Sequence, residues 1–180
     1  MTETSRNPRL GLVQVYTGNG KGKTTAALGL ALRACGHGLR TYVGQFLKGQ
    51  AFGELTSASR LASCLTIDQY GSPGRFHPDA LGPEDRKATH EGLEKARHAL
   101  CDAHFDLVIL DEIHVAISCG LLSEHDVLDL IDSKPVETEL VLTGRNAPAS
   151  ILDRADLVSE VIEVRHPLSR GIQARPGIEY

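Results

Sequence analysis

The stretch TGNGKGKTT, residues 17–25, constrains this chain most, because it places a glycine-rich turn between a predicted strand and a predicted helix. Residues 12–17, LVQVYT, form a short apolar, β-branched run that predicts a buried strand. The residues after the turn are rich in alanine and leucine as far as Gly36, which predicts a helix from Lys23 to about Cys35. Backbone N–H groups of such a turn, together with the helix N-terminus, form a cradle for anions. The stretch therefore predicts a phosphate-binding loop.

This loop is one residue shorter than the usual pattern, G-x-x-x-x-G-K-[ST], whose end is matched by Gly22, Lys23 and Thr24. The first glycine of the pattern would stand at position 17, but Thr17 occupies that position and the glycine is Gly18. Lys23 is predicted to contact phosphate oxygens, and the Thr24 hydroxyl is predicted to bind Mg²⁺. The predicted nucleotide-binding residues of the loop are Gly18, Asn19, Gly20, Lys21, Gly22, Lys23, Thr24 and Thr25.

Strand and helix patterns alternate along the rest of the chain, which predicts an α/β fold with a mostly parallel sheet and helices on both faces. We expect a three-layer, P-loop NTPase-like architecture. Further strands are predicted at 41–46, 65–70, 105–113, 139–144 and 160–166. Further helices are predicted near 54–62, from 84 to about 103, after a capping pair formed by Ser123 and Asp126, and within 147–155.

The sequence predicts a short tail followed by one domain. Residues 1–9 are predicted to form a flexible N-terminal tail, and residues 10–180 are predicted to form a single domain. Residues 71–83 are rich in glycine and proline and are predicted to form a loop.

Several chemically capable residues fall where parallel strands end, which is where ligands bind in such sheets. The strand predicted at 105–113 ends in Asp111 and Glu112, and either carboxylate is predicted to bind Mg²⁺, with Mn²⁺ as an alternative ion. Lys48 is predicted either to bind substrate or to be a solvated strand end, and Arg145 falls at the same edge.

Charge and composition argue against several classes of partner. A net charge of −4 and a pI of about 6.0 argue against nucleic acid or an anionic membrane surface. No apolar run approaches the roughly 20 residues of a membrane span, and the first residues do not resemble a signal peptide, so we expect a cytoplasmic protein. The widely spaced cysteines are predicted to be reduced and buried: Cys35, Cys64, Cys101 and Cys119. The histidines are predicted to be exposed or structural rather than metal ligands, although His114 could approach the site.

Six segments together resemble the P-loop cob(I)alamin adenosyltransferases, and the likeness runs from about Gly11 to Tyr180. The segments are YTGNGKGKTTAALGLALRACGHG, QFLKG, LVILDEI, LTGRNAP, ADLVSEV and GIQARPGIEY. The short loop with two lysines and the closing segment are more specific than a generic NTPase motif. The short loop is a trait of that family.

The resemblance implies transfer of the 5′-deoxyadenosyl group of ATP to the Co(I) of a reduced corrinoid, with release of triphosphate and formation of adenosylcobalamin. It implies Lys23, Thr24 and Glu112 as the catalytic set and places Arg33 near the phosphates. It also implies cobalamin or cobinamide-type corrinoids as substrates, an electron donor for the cobalt, and a homodimer. Because the whole triphosphate leaves, we infer that the short loop shifts or reverses the phosphate chain.

Two other functions fit a P-loop chain. One is an ATPase or nucleoside kinase that cleaves between phosphates and releases ADP. The other is a non-catalytic, ATP-gated corrinoid carrier.

Phe76 is predicted to face the corrinoid, with simple packing within its loop as the alternative. Some relatives carry a Phe-x-Trp element after the third strand, thought to displace the lower ligand of cobalt, but this chain has no tryptophan and its loop reads GSPGRFHPDA. An aromatic ring beside cobalt would exclude the lower ligand and water, which makes Co(II) easier to reduce.

We therefore expect Phe76→Ala to impair activity most when the assay starts from Co(II) and a mild reductant, and much less when Co(I) is supplied. The measurement compares both assays on one variant. Equal losses would indicate a role in substrate binding, and no loss in either would contradict the corrinoid contact.

Overall fold

Six parallel strands form one sheet through the described part of the chain. The computed structural model describes residues 10–72, 81–101 and 104–180. The strands are β1 (Val13–Thr17), β2 (Thr41–Phe46), β3 (Leu65–Tyr70), β4 (Leu107–Asp111), β5 (Glu139–Thr143) and β6 (Leu157–Glu160). Their order across the sheet is β3-β2-β4-β5-β1-β6, and every pairing is parallel. The carboxyl ends of the strands therefore lie along one edge, as the alternating pattern predicted.

Helices cover both faces of the sheet, which confirms the predicted three-layer, P-loop NTPase-like α/β fold. They are α1 (Lys23–Gly36), α2 (Gly53–Arg60), α3 (Pro83–Cys101), α4 (Ile113–Ser118), α5 (Glu124–Ser133) and α6 (Ala149–Leu152), and a 3₁₀ turn follows at Pro167–Arg170. One apolar cluster joins α1 and α2 to the sheet, and another joins α3, α4, α5 and α6 to its other face. Among the described residues, none of the helices combines the length and the apolar character that crossing a membrane requires.

Strand β4 shows why the apolar runs of this sequence are continuous. Leu107 and Ile109 pack in the cluster with α1, whereas Val108 and Leu110 pack in the cluster on the other face. All four side chains are at most 3% exposed, because alternate residues of a strand point to opposite faces and both faces are covered here. Helix α1 meets the sheet through small side chains, namely Ala27, Ala31 and Ala34.

The end of β4 differs from its prediction as a strand over 105–113. The strand ends at Asp111, Glu112 adopts the left-handed conformation with φ 64°, and α4 begins at Ile113. Helix α4 was not predicted from the sequence. Its formation depends on tertiary packing, because Ile113 and Ala116 are fully buried in the core.

The last strand was also predicted wrongly, at 160–166. The observed β6 covers Leu157–Glu160 and pairs with β1 over Gln14–Thr17. Strand β1 ends at Thr17, so the alternating residues after Glu160 have no strand beside them to pair with in that register. The chain instead turns across the glycine-rich loop at 18–25, called here the phosphate loop, and the Val161 N–H donates to the Thr17 carbonyl at 2.8 Å.

The cysteine prediction is corrected as well. Cys35, near the end of α1, and Cys64, just before β3, form a disulfide, with their Cα atoms 5.4 Å apart. Of the other two, Cys101 is exposed and Cys119 is partly buried. The pairing spans 29 residues and arises because β2 and β3 lie side by side, so nothing in the spacing of the cysteines indicated it.

The capping pair was predicted correctly. The Ser123 hydroxyl accepts from the Asp126 N–H at 3.2 Å, and the Ser123 N–H donates to the Asp126 carboxylate at 2.8 Å. The tail at 1–9, Phe76 and most of the predicted loop at 71–83 lie outside the described residues. The single domain over 10–180 stays a prediction.

Two glycines give opposite expectations for alanine substitution. A Cβ atom at Gly92 in α3 would lie 2.6 Å from Tyr70 Cγ and 3.0 Å from Phe46 Cε1, whereas one at Gly29 in α1 would meet nothing within 4 Å. We expect Gly92→Ala to lower the free energy of unfolding by about 1–3 kcal/mol through overpacking. We expect Gly29→Ala to raise it by up to about 1 kcal/mol through helix propensity. Urea denaturation of both variants measures the two changes, and a stable Gly92→Ala protein would contradict the packing described here.

Candidate functional site

A cavity of about 630 Å³ lies at the carboxyl edge of the sheet. The residues that line it come from the phosphate loop, from the chain after β2, from the ends of β4 and β5, and from the C-terminal segment. They are Gly20–Thr25, Leu28, Lys48, Phe52, Gly53, Glu54, Ser57, Glu112, Arg145, His166 and Gly177–Tyr180.

Lys23 lies inside the phosphate loop. Its ammonium donates to the Gly18 carbonyl at 2.6 Å and to the Gly20 carbonyl at 2.8 Å, and the residue is only 6% exposed. Burial lowers the pKa of Lys23, and the nearby Glu112 carboxylate opposes that shift. An ammonium has one more N–H than these two bonds use. Lys23 is therefore held in place with a donor left for an anion.

The glycines of the loop are required by its backbone. Gly22 has φ 132°, a conformation that residues with a side chain rarely adopt. The Gly20 N–H donates to the Val161 carbonyl at 2.7 Å, and a Cβ atom at Gly20 would lie 2.7 Å from the carbonyl carbon of Ile162. The chain after β6 thus occupies one loop N–H group, so that group is not available to a phosphate in this arrangement.

Asp111 is the most heavily hydrogen-bonded side chain of the site, and it is 1% exposed. Its carboxylate accepts from Thr143 Oγ1 at 2.7 Å, from Lys48 Nζ at 2.8 Å and from Gln45 Nε2 at 3.3 Å. Thr24 Oγ1 also donates to it, at 2.9 and 3.1 Å from its two oxygens. Because the only proton of the Thr24 hydroxyl points at Asp111, the lone pairs of that oxygen are left for another partner.

Glu112 lines the cavity directly beside this network. Its left-handed backbone is secured by its N–H, which donates to Thr143 Oγ1 at 3.0 Å. Burial raises the pKa of Glu112, the Asp111 charge raises it further, and Lys48, Lys23 and Arg145 partly offset the rise. A buried carboxylate with a raised pKa gains stability when a cation comes close. Glu112 is thus better suited than Asp111 to contact a cation directly.

Most of the described residues among the predicted site residues lie together, and Arg33 lies apart from them. Gly20 to Thr25 line the cavity, while Gly18 and Asn19 belong to the same loop. Arg33 is exposed in the last turn of α1. It lies ten residues beyond Lys23, or about 15 Å along the helix axis, and does not line the cavity. Phe76 lies outside the described residues.

Two histidines bear on the prediction that the histidines are exposed or structural. His166 lines the cavity, and His114 lies two residues beyond Glu112. His114 is fully buried on α4, and burial lowers its pKa to about 4, so it is neutral near pH 7. Within 10–72, 81–101 and 104–180, no group of three or more His, Cys, Asp or Glu side chains could hold a metal ion.

On one side of the cavity, Lys48 was predicted from the sequence, but its neighbours Phe52 and Glu54 were not. The Lys48 ammonium lies 5.4 Å from the centre of the Phe52 ring and 3.9 Å from the Glu54 carboxylate. Gln45 donates to both Glu54 and Asp111, at 3.1 and 3.3 Å. A glutamine inside the strand predicted at 41–46 was the available signal, because buried polar side chains need partners. The C-terminal residues carried no local signal of where they would lie.

Comparison of the sequence with known proteins identifies a family. A family model described as ATP:corrinoid adenosyltransferase BtuR/CobO/CobP matches residues 9–180. A corrinoid adenosyltransferase from Escherichia coli K12 is 36% identical over 172 residues, which covers 94% of this chain and 86% of that protein.

Two further relatives have similar names and similar coverage. The Salmonella typhimurium corrinoid adenosyltransferase CobA is 35% identical, over 94% of this chain and 86% of its own length. A corrinoid adenosyltransferase from Pseudomonas aeruginosa is 34% identical, over 94% and 84%. The chain belongs to the ATP:corrinoid adenosyltransferase family.

Proposed function

We propose that this chain transfers the 5′-deoxyadenosyl group of ATP to the Co(I) of a reduced corrinoid, releasing triphosphate and, from cobalamin, forming adenosylcobalamin. The observation that carries the proposal is that the phosphate loop, Thr24 and Glu112 line one cavity, with Asp111 accepting a hydrogen bond from Thr24 behind it, in a chain that matches the family over residues 9–180. Neither phosphate cleavage nor carriage alone is favoured by the names of the relatives.

The reaction needs two substrates to be positioned and charge on the triphosphate to be stabilised, and the cavity contains groups suited to both. A bond forms between cobalt and the 5′ carbon, the bond from that carbon to oxygen breaks, and its electron pair leaves with the triphosphate. The nucleophile belongs to the corrinoid, so the protein positions two substrates and stabilises the departing charge. Lys23, Lys21 and the N–H groups of the loop other than that of Gly20 would supply that stabilisation.

Mg²⁺ suits the oxygen donors of this site, with Mn²⁺ as an alternative. Mg²⁺ is usually held by one or two protein ligands together with substrate phosphates and water, rather than by a protein cage. The lone pairs of Thr24 and the Glu112 carboxylate are the donors we propose, and Asp111 would act by orienting Thr24. When bound, the ion neutralises part of the triphosphate charge.

The short loop bears on how ATP lies in the cavity. One of its N–H groups, that of Gly20, already donates to Val161. We propose that the phosphate chain is shifted or reversed relative to an ordinary P-loop enzyme, so that the 5′ carbon faces the corrinoid.

An electron donor and a homodimer complete the proposal. ATP supplies no electron, so a separate donor must reduce cobalt to Co(I). We propose that the dimer contact involves exposed apolar side chains on and after β6, namely Leu157, Val158, Ile162 and Val164. Sedimentation of the purified chain tests the dimer.

The cytoplasmic location stays a prediction. The compartment also bears on the Cys35–Cys64 pair, because a reducing cytoplasm would favour the thiols.

Product identity tests the function directly. With ATP, Mg²⁺ and chemically reduced cobalamin, we expect a light-sensitive alkylcobalt product and triphosphate in equal amounts. Chromatography of the nucleotide products and the visible spectrum of the corrinoid measure both. Release of ADP with an unchanged corrinoid spectrum would contradict the transferase proposal, and binding of both substrates without turnover would indicate a carrier.

The metal contact is tested at Glu112. We expect Glu112→Gln to raise the Mg²⁺ concentration for half-maximal activity at least about tenfold, because a charged donor is lost. The matched control is Glu54→Gln, which changes the same residue type in the same cavity at a carboxylate already bonded to Gln45. If wild type and Glu112→Gln require the same Mg²⁺ concentration, Glu112 does not bind the ion. If Glu112→Gln and Glu54→Gln raise that concentration equally, the effect comes from the overall charge of the cavity.

A further inference from the structure

The C-terminal segment forms part of the cavity wall, and the proposed reaction assigns it no role. Gly177, Ile178, Glu179 and Tyr180 line the same cavity as the phosphate loop. These residues follow the last strand by more than a dozen positions, so their position reflects contacts of their own rather than the sheet.

The segment 175–180, called here the C-terminal turn, is closed by its own hydrogen bonds. The Arg175 guanidinium donates to both oxygens of Glu179, at 3.1 and 3.2 Å, and the Arg175 N–H donates to the same carboxylate at 2.8 Å. The Glu179 N–H donates back to the Arg175 carbonyl at 2.9 Å. Gly177, with φ 75°, permits the reversal, and its N–H donates to the Tyr180 carbonyl at 2.6 Å. The two-point Arg175–Glu179 contact thus fixes the shape of the turn.

This turn contacts the phosphate loop at one lysine. The Lys21 ammonium donates to the Ile178 carbonyl at 3.3 Å. Lys21 is exposed, so its long side chain would otherwise sample many rotamers in solvent. Lys23 does not depend on the C-terminal turn, because it is buried and its ammonium is held by carbonyls of the loop itself. The two lysines of GKGK therefore depend on different parts of the chain.

The Arg175–Glu179 ion pair also limits repulsion between the Glu179 carboxylate and the phosphates. Glu179 is close enough for the Lys21 charge to contribute, after the larger effect of Arg175, to lowering the pKa of that carboxylate. An unpaired carboxylate at the wall of a phosphate site would repel the phosphates and compete for Lys21. Arg175 engages both Glu179 oxygens and so limits that competition.

We infer that the C-terminal turn is a positioning element of the nucleotide site, in which the Arg175–Glu179 pair holds the Ile178 carbonyl against Lys21 and so directs the Lys21 ammonium toward the phosphates of ATP. The inference rests on the proposed function for the identity of that nucleotide. Arg175 acts through Lys21 and is not a catalytic residue. Its loss should then weaken ATP binding only while Lys21 is present.

The test is a double-mutant cycle on ATP binding. Calorimetric titration with MgATP, without corrinoid, is carried out on wild type, Lys21→Ala, Arg175→Ala and the double variant. We expect Arg175→Ala alone to weaken binding about three- to tenfold, the range for one hydrogen bond. In the Lys21→Ala background the same change should add less than about twofold, because coupled residues are not additive.

Two further variants control for a general structural effect. Arg170→Ala makes the same change at an exposed arginine of the same C-terminal region that does not line the cavity, and it should leave ATP binding unchanged. Arg175→Lys keeps the charge and should recover part of the affinity. Thermal denaturation should give the same midpoint for wild type and Arg175→Ala. If Arg175→Ala unfolds, Arg175→Lys carries the test in both backgrounds.

The outcomes separate this inference from the proposed function. Binding by Arg175→Ala equal to wild type, or losses from Lys21→Ala and Arg175→Ala that multiply, would overturn the positioning role. Failure of wild type to form an alkylcobalt product would overturn the transferase proposal while the binding cycle stayed interpretable.

Discussion

The site is organised by one buried negative charge, the carboxylate of Asp111. It is 1% exposed and accepts hydrogen bonds from Thr24 on α1, Thr143 on β5, and Gln45 and Lys48 on and after β2. A charge in that position is tolerated only when it is fully paired, so these donors must be assembled together. The sheet order makes this possible, because β4 lies between β2 and β5. The same saturation leaves Glu112 as the neighbouring carboxylate that can serve a cation.

The two lysines of the site are held in different ways. Lys23 is buried and fixed by carbonyls within its own loop, whereas Lys21 is exposed and contacts the C-terminal turn. The loop is also braced by the chain after β6, through the bond from the Gly20 N–H to the Val161 carbonyl. Segments distant in sequence therefore support a loop of a few residues. Such bracing suits a reaction in which the protein supplies placement and charge while the substrates supply the reacting atoms.

Much of the fold could be predicted from the sequence, because periodicity and turn residues are local. Residues 12–17 and the helix from Lys23 were predicted to within about two residues, and the Ser123–Asp126 cap was confirmed. The prediction failed where contacts with other parts of the chain determine the local structure. The alternating residues at 160–166 resemble a strand, but β1 ends too early to pair with them. The short helix α4 has no strong signal of its own and forms because its apolar residues meet the core.

The sequence by itself determined the chemistry that is available: a glycine loop ending in Lys23 and Thr24, and a strand ending in two carboxylates. These are contiguous patterns whose function depends on residue type and spacing. The tertiary structure decided how they are used. It saturated Asp111 and left Glu112 at the cavity, placed Arg33 away from it, and brought the C-terminal turn to Lys21. Those outcomes depend on contacts between residues far apart in the chain, and such contacts are set by strand order and packing, which no local pattern encodes.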